Sequence, residues 1–565
     1  FSDFRFDNHE TAVVSDRVNF VRPFCLRRLP VLTAGSFLFF TALVAFISWR
    51  KTRGDDTQTA SGYFLAGRSL TSIVIAGSLL LTNLSTEQLV GLNGGAFNNG
   101  MVVMAWEVVA ALAMLLMAVV FLPRYLRSGI TTVPQFLELR YDSSVRVFTA
   151  VLFLASLVIN FLPFVLYSGA VFMRDVFGLP AVLAVSPDTA LWMTVIAIGL
   201  VGSCYAVFGG LKAVAVSDTL NGIGLLVGGL SIPILGLIAL GKGSFSNGLI
   251  YLTQNEPQKL SPIGGEDSAV PFATLFTGMI MINTYYWCTN QAIVQRTFGA
   301  KSLAEGQKGL LLAAFCKLAG PFYLVLPGII AFHMFPTEPG NGDGAYGMLV
   351  NRLMPHWALG FFAAVIFGAI LSSFNSALNS ASTLFSVDLY GGLINKNATD
   401  QQKVQVGKIC GLFLAIVAMG TAPLLADSPK GLFELMKKMN AFFNIPLLAI
   451  IVVGITTKRV PAFAANVAIV LGMVFYGIVA FLLDNVLFGQ KLHWLHVAAI
   501  NFGLLVSVML AFGFAHPRDT DYKQVSSEKV DIQPWRAAVP CAVIVASLVV
   551  VMYWFLHRLS LGDFV

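Results

Sequence analysis

Long apolar runs follow one another along almost the whole chain, and each needs surroundings other than water. They centre on 31–50, 70–96, 100–122, 145–176, 188–209, 211–240, 270–296, 307–335, 357–388, 404–426, 430–456, 461–484, 492–516 and 535–557. About 20 apolar residues in a helix cross the hydrocarbon layer of a bilayer. Fourteen such segments therefore predict an all-α polytopic membrane protein. Several exceed one crossing, which implies tilt, a break or an extension beyond the bilayer. The runs are continuous, whereas barrel strands alternate apolar and polar residues, so a β-barrel is excluded. Composition agrees: the 565 residues are 56% hydrophobic and 12% charged, with a mean hydropathy of +0.77, outside the range of ordinary water-soluble domains.

The net charge of +7 would suit a nucleic-acid partner, but the distribution excludes one, because Lys and Arg sit in short loops at helix ends, where they set membrane orientation. Arg50, Lys51, Arg53 and Arg68 follow the first span, Arg124, Arg127, Arg140 and Arg146 the third, and Arg296, Lys301 and Lys308 the seventh. Lys396, Lys403 and Lys408, then Lys458 and Arg459, then Arg518, Lys523, Lys529 and Arg536 continue the alternation. The rich loops are expected inside, with both termini on the outer side. Residues 1–30 disagree, carrying Arg5, Arg17, Arg22, Arg27 and Arg28 on that side. They are expected to lie outside the fold, as a fragment or a misplaced gene start, and they lack the short apolar run and cleavage site of a signal peptide. Cys204, Cys288, Cys316, Cys410 and Cys541 fall inside apolar segments and read as packed thiols, with only Cys25 elsewhere. His493 and His496 share a helix face, as expected of a membrane-interface position as much as of a metal site.

Two spans are interrupted. In lipid every backbone polar group needs an internal partner, so unwound helix is confined to protein interior or wet cavities. "TNLSTEQ" (82–88) with "GLNGG" behind it makes a poor uninterrupted helix, since its polar side chains compete for backbone bonds and its glycines weaken it. "MINTYYWCTNQ" (281–291) repeats the pattern five spans later. Interruptions at corresponding positions of two halves point to an inverted-repeat transporter. Glu87 and Glu107, ionisable residues inside spans, become site candidates. In "FGAILSSFNSALNSAS" (367–382), Ala369, Ser372 and Ser373 stand at i, i+3 and i+4 and share a helix face. Two hydroxyls and a carbonyl there, with carbonyls from the unwound 81–84 stretch, would make an all-oxygen cage for a hard alkali cation, helped by the negative end of a half-helix.

These stretches, with "SGYFLAGRSL", "NTYYWCTNQAIVQRT", "AKSLAEGQKG" and "ILSSFNSALNSASTLFSVDLY", resemble the solute:sodium symporter family, and within it the bacterial sodium/glucose and sodium/galactose branch. The similarity runs from about residue 31 to beyond 460. The resemblance implies a LeuT-type fold: a leading helix at 31–50, a first five-helix repeat at 70–240, an inverted second repeat at 270–456, and further helices in 461–565. It implies a sodium site from the carbonyls of Leu81 and Leu84 with Ala369, Ser372 and Ser373. Gln88, Glu107, Asn283 and Lys317 match polar sugar contacts. Tyr286, within Tyr285-Tyr286-Trp287, matches an aromatic inner gate, and Asp218 an acidic residue near the sodium exit. Three positions depart from the pattern: Ala110 replaces a small hydroxyl residue, Asn160 is one position out of register with an amide, and Lys438 stands in place of a glutamine among the substrate contacts.

The chain is thus expected to be a sodium-coupled symporter importing a small polar solute, a hexose-type sugar, by alternating access in the bacterial inner membrane. No cofactor is expected beyond the coupling Na+, and the partners are solute, sodium and lipid. Sodium is favoured over a proton because the ion site holds hydroxyls and carbonyls but no titratable group. Lys438 keeps an acidic sugar or other organic anion as the alternative, and a non-transporting sensor of the same fold is a second. An intramembrane enzyme would need a nucleophile with its base, or a metal cluster, inside the spans. No His, Asp or Cys constellation of that kind is present in the sequence.

Overall fold

The computed structural model describes residues 31–562 apart from 56, 337–341, 343, 428–431, 525 and 528. The basic tail 1–30, with its five arginines and Cys25, lies outside the described residues. The described chain is helical except for one antiparallel hairpin, β1 (Val486–Leu487) with β2 (Gln490–Lys491), in which Val486 pairs with Lys491 and Leu487 with Gln490.

The helices that frame the site are α1 (Val31–Thr52), α2 (Ser72–Asn83), α3 (Thr86–Asn99), α4 (Ala105–Leu116), α5 (Ser143–Ser156), α6 (Leu162–Val176) and α7 (Pro187–Leu240). Then follow α8 (Gly278–Cys288), α9 (Gln291–Phe298), α10 (Leu303–Lys317), α11 (Leu326–Met334), α12 (His356–Thr383), α13 (Asp400–Thr421) and α14 (Leu432–Thr456). The last three are α15 (Ala462–Gly477), α16 (Trp494–Ala515) and α17 (Ala538–Ser560).

By length and apolarity, 11 helical stretches among the described residues can cross a membrane, or 12 if the pair Leu303–Lys317 and Pro321–Met334, bent by 45°, is one span. The count of fourteen is therefore not reproduced, and the difference falls at the two interrupted segments. The 12-residue α2 is too short to qualify, while α3 runs on through α4 as one 43-residue stretch, Thr86–Ser128. The expected seventh span is cut into α8 and α9, of 11 and 8 residues. Polar side chains and unwound backbone make these pieces unfit for lipid, and the bundle encloses them instead.

Proline explains a second irregularity. It has no N–H and its ring clashes with the carbonyl one turn back, a strain that an opened turn relieves. Ahead of Pro123, Pro163 and Pro327 the helix widens into a single π-turn. There the Leu122, Leu162 and Leu326 N–H groups donate to the carbonyls of Met117, Leu157 and Pro321, five residues back. In α7 the break is glycine. Gly210 adopts φ 60°, ψ −175°, and a Cβ there would sit 3.1 Å from the Tyr63 carbonyl oxygen, so one 54-residue helix serves as two spans.

The core closes around the first break. The α2 helix packs between α7, α10 and α12, while α4 packs on α8 and α10. Outside this core, α14, α15 and α16 pack on one another, and α1, α13 and α17 turn large apolar side chains such as Phe39, Phe413 and Val550 outward, as lipid-facing helices do. Arg140 is fully buried and fastens the C-terminus of α14. Its guanidinium donates to the carbonyls of Gly454 (2.9 Å), Val460 (3.1 Å) and Thr457 (3.2 Å), which caps carbonyls left without helical partners and sets a cation at the negative end of the dipole.

Candidate functional site: an oxygen-rich helix break beside a polar cavity

At the first break, α2 ends at Asn83. Leu84, at φ −86°, ψ 62°, has left the helix, although its N–H still reaches the Leu80 carbonyl. Ser85 opens α3 without a side-chain cap, and Glu87 stands in the first turn of α3, where the positive end of the helix dipole favours a carboxylate. The last carbonyls of α2 have no helical partner in front of them, and α12 faces them. The Ser373 hydroxyl donates to the Thr82 carbonyl at 2.9 Å, while Ser372 and Ser376 lie 3.5 and 3.3 Å from the Thr82 hydroxyl. Leu81, Leu84, Ala369, Ser372 and Ser373 are all buried here. The arrangement is rich in oxygen, with Arg296 reaching it through Ser376 and Asp218 through Ser372.

Beside the break lies a small cavity of about 40 Å³, lined by the end of α2, by α3, α4, α8 and α14 and by Phe161. Gln88, Glu107, Asn283 and Tyr286 line it, together with Asn83, Glu87, Trp287, Lys437, Asn440 and Asn444. Behind it, the Lys317 ammonium donates to Glu107 Oε2 at 2.6 Å and also to Asn83 Oδ1. It lies 5.4 Å from the Trp287 ring centroid, a favourable place for a desolvated cation. Tyr286 meets Trp287 edge to face, 5.3 Å between centroids.

A second cavity, of about 110 Å³, joins Ser372 on α12 to Asp218 on α7, with Ser217, Asn221 and Asn375 between them. Asp218 Oδ2 accepts from the Ser78 hydroxyl at 2.6 Å, and Ser78 in turn accepts from Arg296 Nε at 2.9 Å. The Arg296 guanidinium stands 3.9 Å from the carboxylate and also donates to Ser376. Among the described residues no group of three or more His, Cys, Asp or Glu converges as metal ligands. His493 caps α16, and His496 Nδ1 lies 2.9 Å from the Thr277 hydroxyl.

Comparison with known proteins decides the family. The sodium:solute symporter family model matches residues 63–472. The chain belongs to the sodium:solute symporter family. It is 50% identical over 501 residues to YidK, an uncharacterized symporter of Escherichia coli (strain K12), covering 89% of this chain and 87% of that one. It is 28% identical over 475 residues to a sodium/glucose cotransporter of Vibrio parahaemolyticus, with 78% and 83% covered. A solved sodium-coupled sialic acid symporter, in a substrate-bound outward-open state, superposes with a TM-score of 0.72 at 22% identity, covering 87% of this chain and 99% of that one. That likeness speaks for the fold: a helical membrane transporter with LeuT-like neighbours.

Within this member of the sodium:solute symporter family, most residues singled out from the sequence meet at the break and its two cavities, but three take other positions. Lys438, expected among the substrate contacts, does not line this cavity, and Lys437 does. Consecutive helical residues diverge by about 100°, so Lys437, Asn440 and Asn444 share one face of α14. Lys438 turns away, within electrostatic reach of Asp484 beside the hairpin. Tyr285 does not line the cavity and stacks on Phe153 at 6.3 Å. Lys317 supports the cavity from behind Glu107 without lining it. Asn160, out of register in the sequence, donates to Asn440 Oδ1 at 3.0 Å. Sequence reasoning also missed Asn83, Asn440 and Asn444. An i, i+3, i+7 reading of 437–444 would have found the last two together with Lys437.

Proposed function

We propose that the protein is a sodium-coupled symporter for a small neutral polar solute, a hexose-type sugar, working by alternating access in the bacterial inner membrane with both termini outside. Fourteen spans in two inverted five-helix repeats, 70–240 and 270–456, fit this reading, with α2/α3 and α8/α9 as the broken first helices of each repeat. Sodium binds between the carbonyls of Leu81 and Leu84 and the Ala369, Ser372 and Ser373 face. It leaves past Asp218. The solute sits among Gln88, Glu107 and Asn283 with Tyr286 stacked on it, and Lys317 holds Glu107 in place.

The observation that carries the ion is the 2.9 Å bond from Ser373 to the Thr82 carbonyl. It ties the face of α12 to the open end of α2, so an ion that bridges them couples the two halves of the transporter. A hydroxyl that donates to a carbonyl keeps its lone pairs for a cation. The energy suffices: one charge crossing 100 mV is worth about 2.3 kcal/mol and a tenfold sodium gradient about 1.4 kcal/mol. Reconstitution into vesicles and uptake of a labelled sugar panel, with and without a sodium gradient, tests this reading. Sodium-driven accumulation of a neutral hexose is the expected result. Uptake that ignores sodium overturns it, and uptake of only an acidic sugar overturns the neutral solute.

A further inference from the structure

The charges around the substrate cavity are arranged in two pairs of different kinds. Glu107 is neutralised from behind by Lys317 at 2.6 Å, and both side chains are essentially without exposure. Glu87, 4% exposed, holds an Oε2 that has no hydrogen-bond partner within the protein. Its opposite charge is Lys437, which enters from α14 within electrostatic reach of both Glu87 and Glu107. The Lys437 ammonium rests 5.3 Å from the Trp106 ring centroid, and Trp106 is itself stacked on Trp494 at 6.2 Å.

The cavity holds several unmet buried polar atoms, the Tyr286 hydroxyl among them. Gln88 Oε1 and Asn444 Oδ1, each on a side chain 4% exposed, share with Glu87 Oε2 the condition of a buried acceptor without a donor. An unmet buried acceptor costs roughly 1–3 kcal/mol, so three in one cavity call for a ligand that brings O–H donors. A polyhydroxylated neutral solute brings several. A carboxylate brings none at its charged end, and meets Glu87. An ammonium would satisfy the acceptors but meets Lys437.

We propose that Glu87 and Lys437 act together as a charge filter, admitting neutral polyhydroxylated solutes by mutual compensation and rejecting each sign of ionised analogue through the like-charged partner. The proposal rests on the sugar-symport reading and assigns two residues to its specificity. Each charge alone would invert the preference.

The test uses the full chain in vesicles with a sodium gradient, the neutral hexose it takes up best, and two competitors: glucuronate, and glucosamine below its amine pKa. The native protein is expected to resist both. Glu87→Gln removes one of the two carboxylates that reach Lys437 and tips the cavity towards positive charge, so glucuronate should compete at least tenfold better while glucosamine gains nothing. Lys437→Gln should do the reverse, with glucosamine gaining about tenfold. If a variant no longer transports, thermal melting in detergent with the same two competitors reads binding, and the same opposite shifts are expected. Native sodium-driven uptake of a neutral hexose, with variants that shift in the same direction or not at all, overturns the filter alone. Native uptake confined to an ionised sugar overturns both the filter and the neutral-solute reading.

Discussion

Lys317 Nζ lies 2.6 Å from Glu107 Oε2, and neither side chain is exposed by more than 2%. Desolvation of two such ions offsets most of their attraction, yet removing one strands the other, at a cost of about 3–5 kcal/mol. Lys317→Met should therefore lower the melting temperature markedly and abolish uptake. The double substitution Lys317→Met with Glu107→Leu should recover much of the stability but not the transport. Recovery of both by the double variant would show that the pair has no part in holding substrate.

At the proposed ion site, Ser373→Ala removes one oxygen from a cage with few. Hydrogen bonds and contacts to charge are worth about 1.5–3 kcal/mol, so sodium affinity should fall by about tenfold or more. Substrate affinity should worsen at low sodium and partly recover at high sodium. Sodium titration of uptake checks this, and an unchanged sodium dependence would place the ion elsewhere.

For the proposed gate, Tyr286→Phe keeps the ring that packs edge to face on Trp287 and loses only the hydroxyl. Initial uptake rates should stay largely intact for Phe and collapse for Ala, because stacking surface is the larger contribution. Equal damage from the two would make the hydroxyl the functional atom.

Buried Asp388 is held by Arg146 Nε at 2.7 Å and by the Thr132 hydroxyl at 3.0 Å, while Arg146 also meets Glu138 at 2.7 Å. The cluster ties α12 and its π-helical extension to the start of α5. Asp388→Asn keeps the shape and the hydroxyl contact but removes the charge, so Arg146 retains Glu138 and the Val387 carbonyl. Thermal melting should show a loss of about 1.5–3 kcal/mol, the value of a charge-assisted bond. A melting temperature equal to the native one would mean that Glu138 and the Val387 carbonyl suffice.

What the sequence could reveal follows from what each signal depends on. Apolar run length is a property of one segment, so α1, α13, α15, α16 and α17 are legible from it directly. The breaks at 84–85 and 289–290 are legible because polar side chains cluster where lipid would forbid them. Ala369, Ser372 and Ser373 are legible from i, i+3, i+4 spacing alone. By contrast, the π-turns before Pro123, Pro163 and Pro327 need helix geometry at a resolution that composition does not carry. The partnership of Lys317 with Asn83, or of Ser78 with Asp218 and Arg296, joins residues more than 100 positions apart in the chain, which no local pattern encodes. The Lys437/Lys438 choice turned on one residue of helical register, about 100° of rotation, in a run of two identical side chains.

That register gives the last prediction. Lys438 lies on the face of α14 that points away from the cavity, and its charge acts on Asp484, an exposed carboxylate beside the 486–491 hairpin that Lys491 also engages. Exposed ion pairs contribute about 0–1 kcal/mol, and Asp484 keeps Lys491. Lys438→Gln should leave sodium-driven uptake and its competition profile within about twofold of native. Lys437→Gln, one position earlier, should change both. Initial-rate kinetics of the two variants side by side decide between them. Loss of uptake in Lys438→Gln with Lys437→Gln unaffected would reverse the two faces of α14, and with them the assignment of every α14 residue to the cavity.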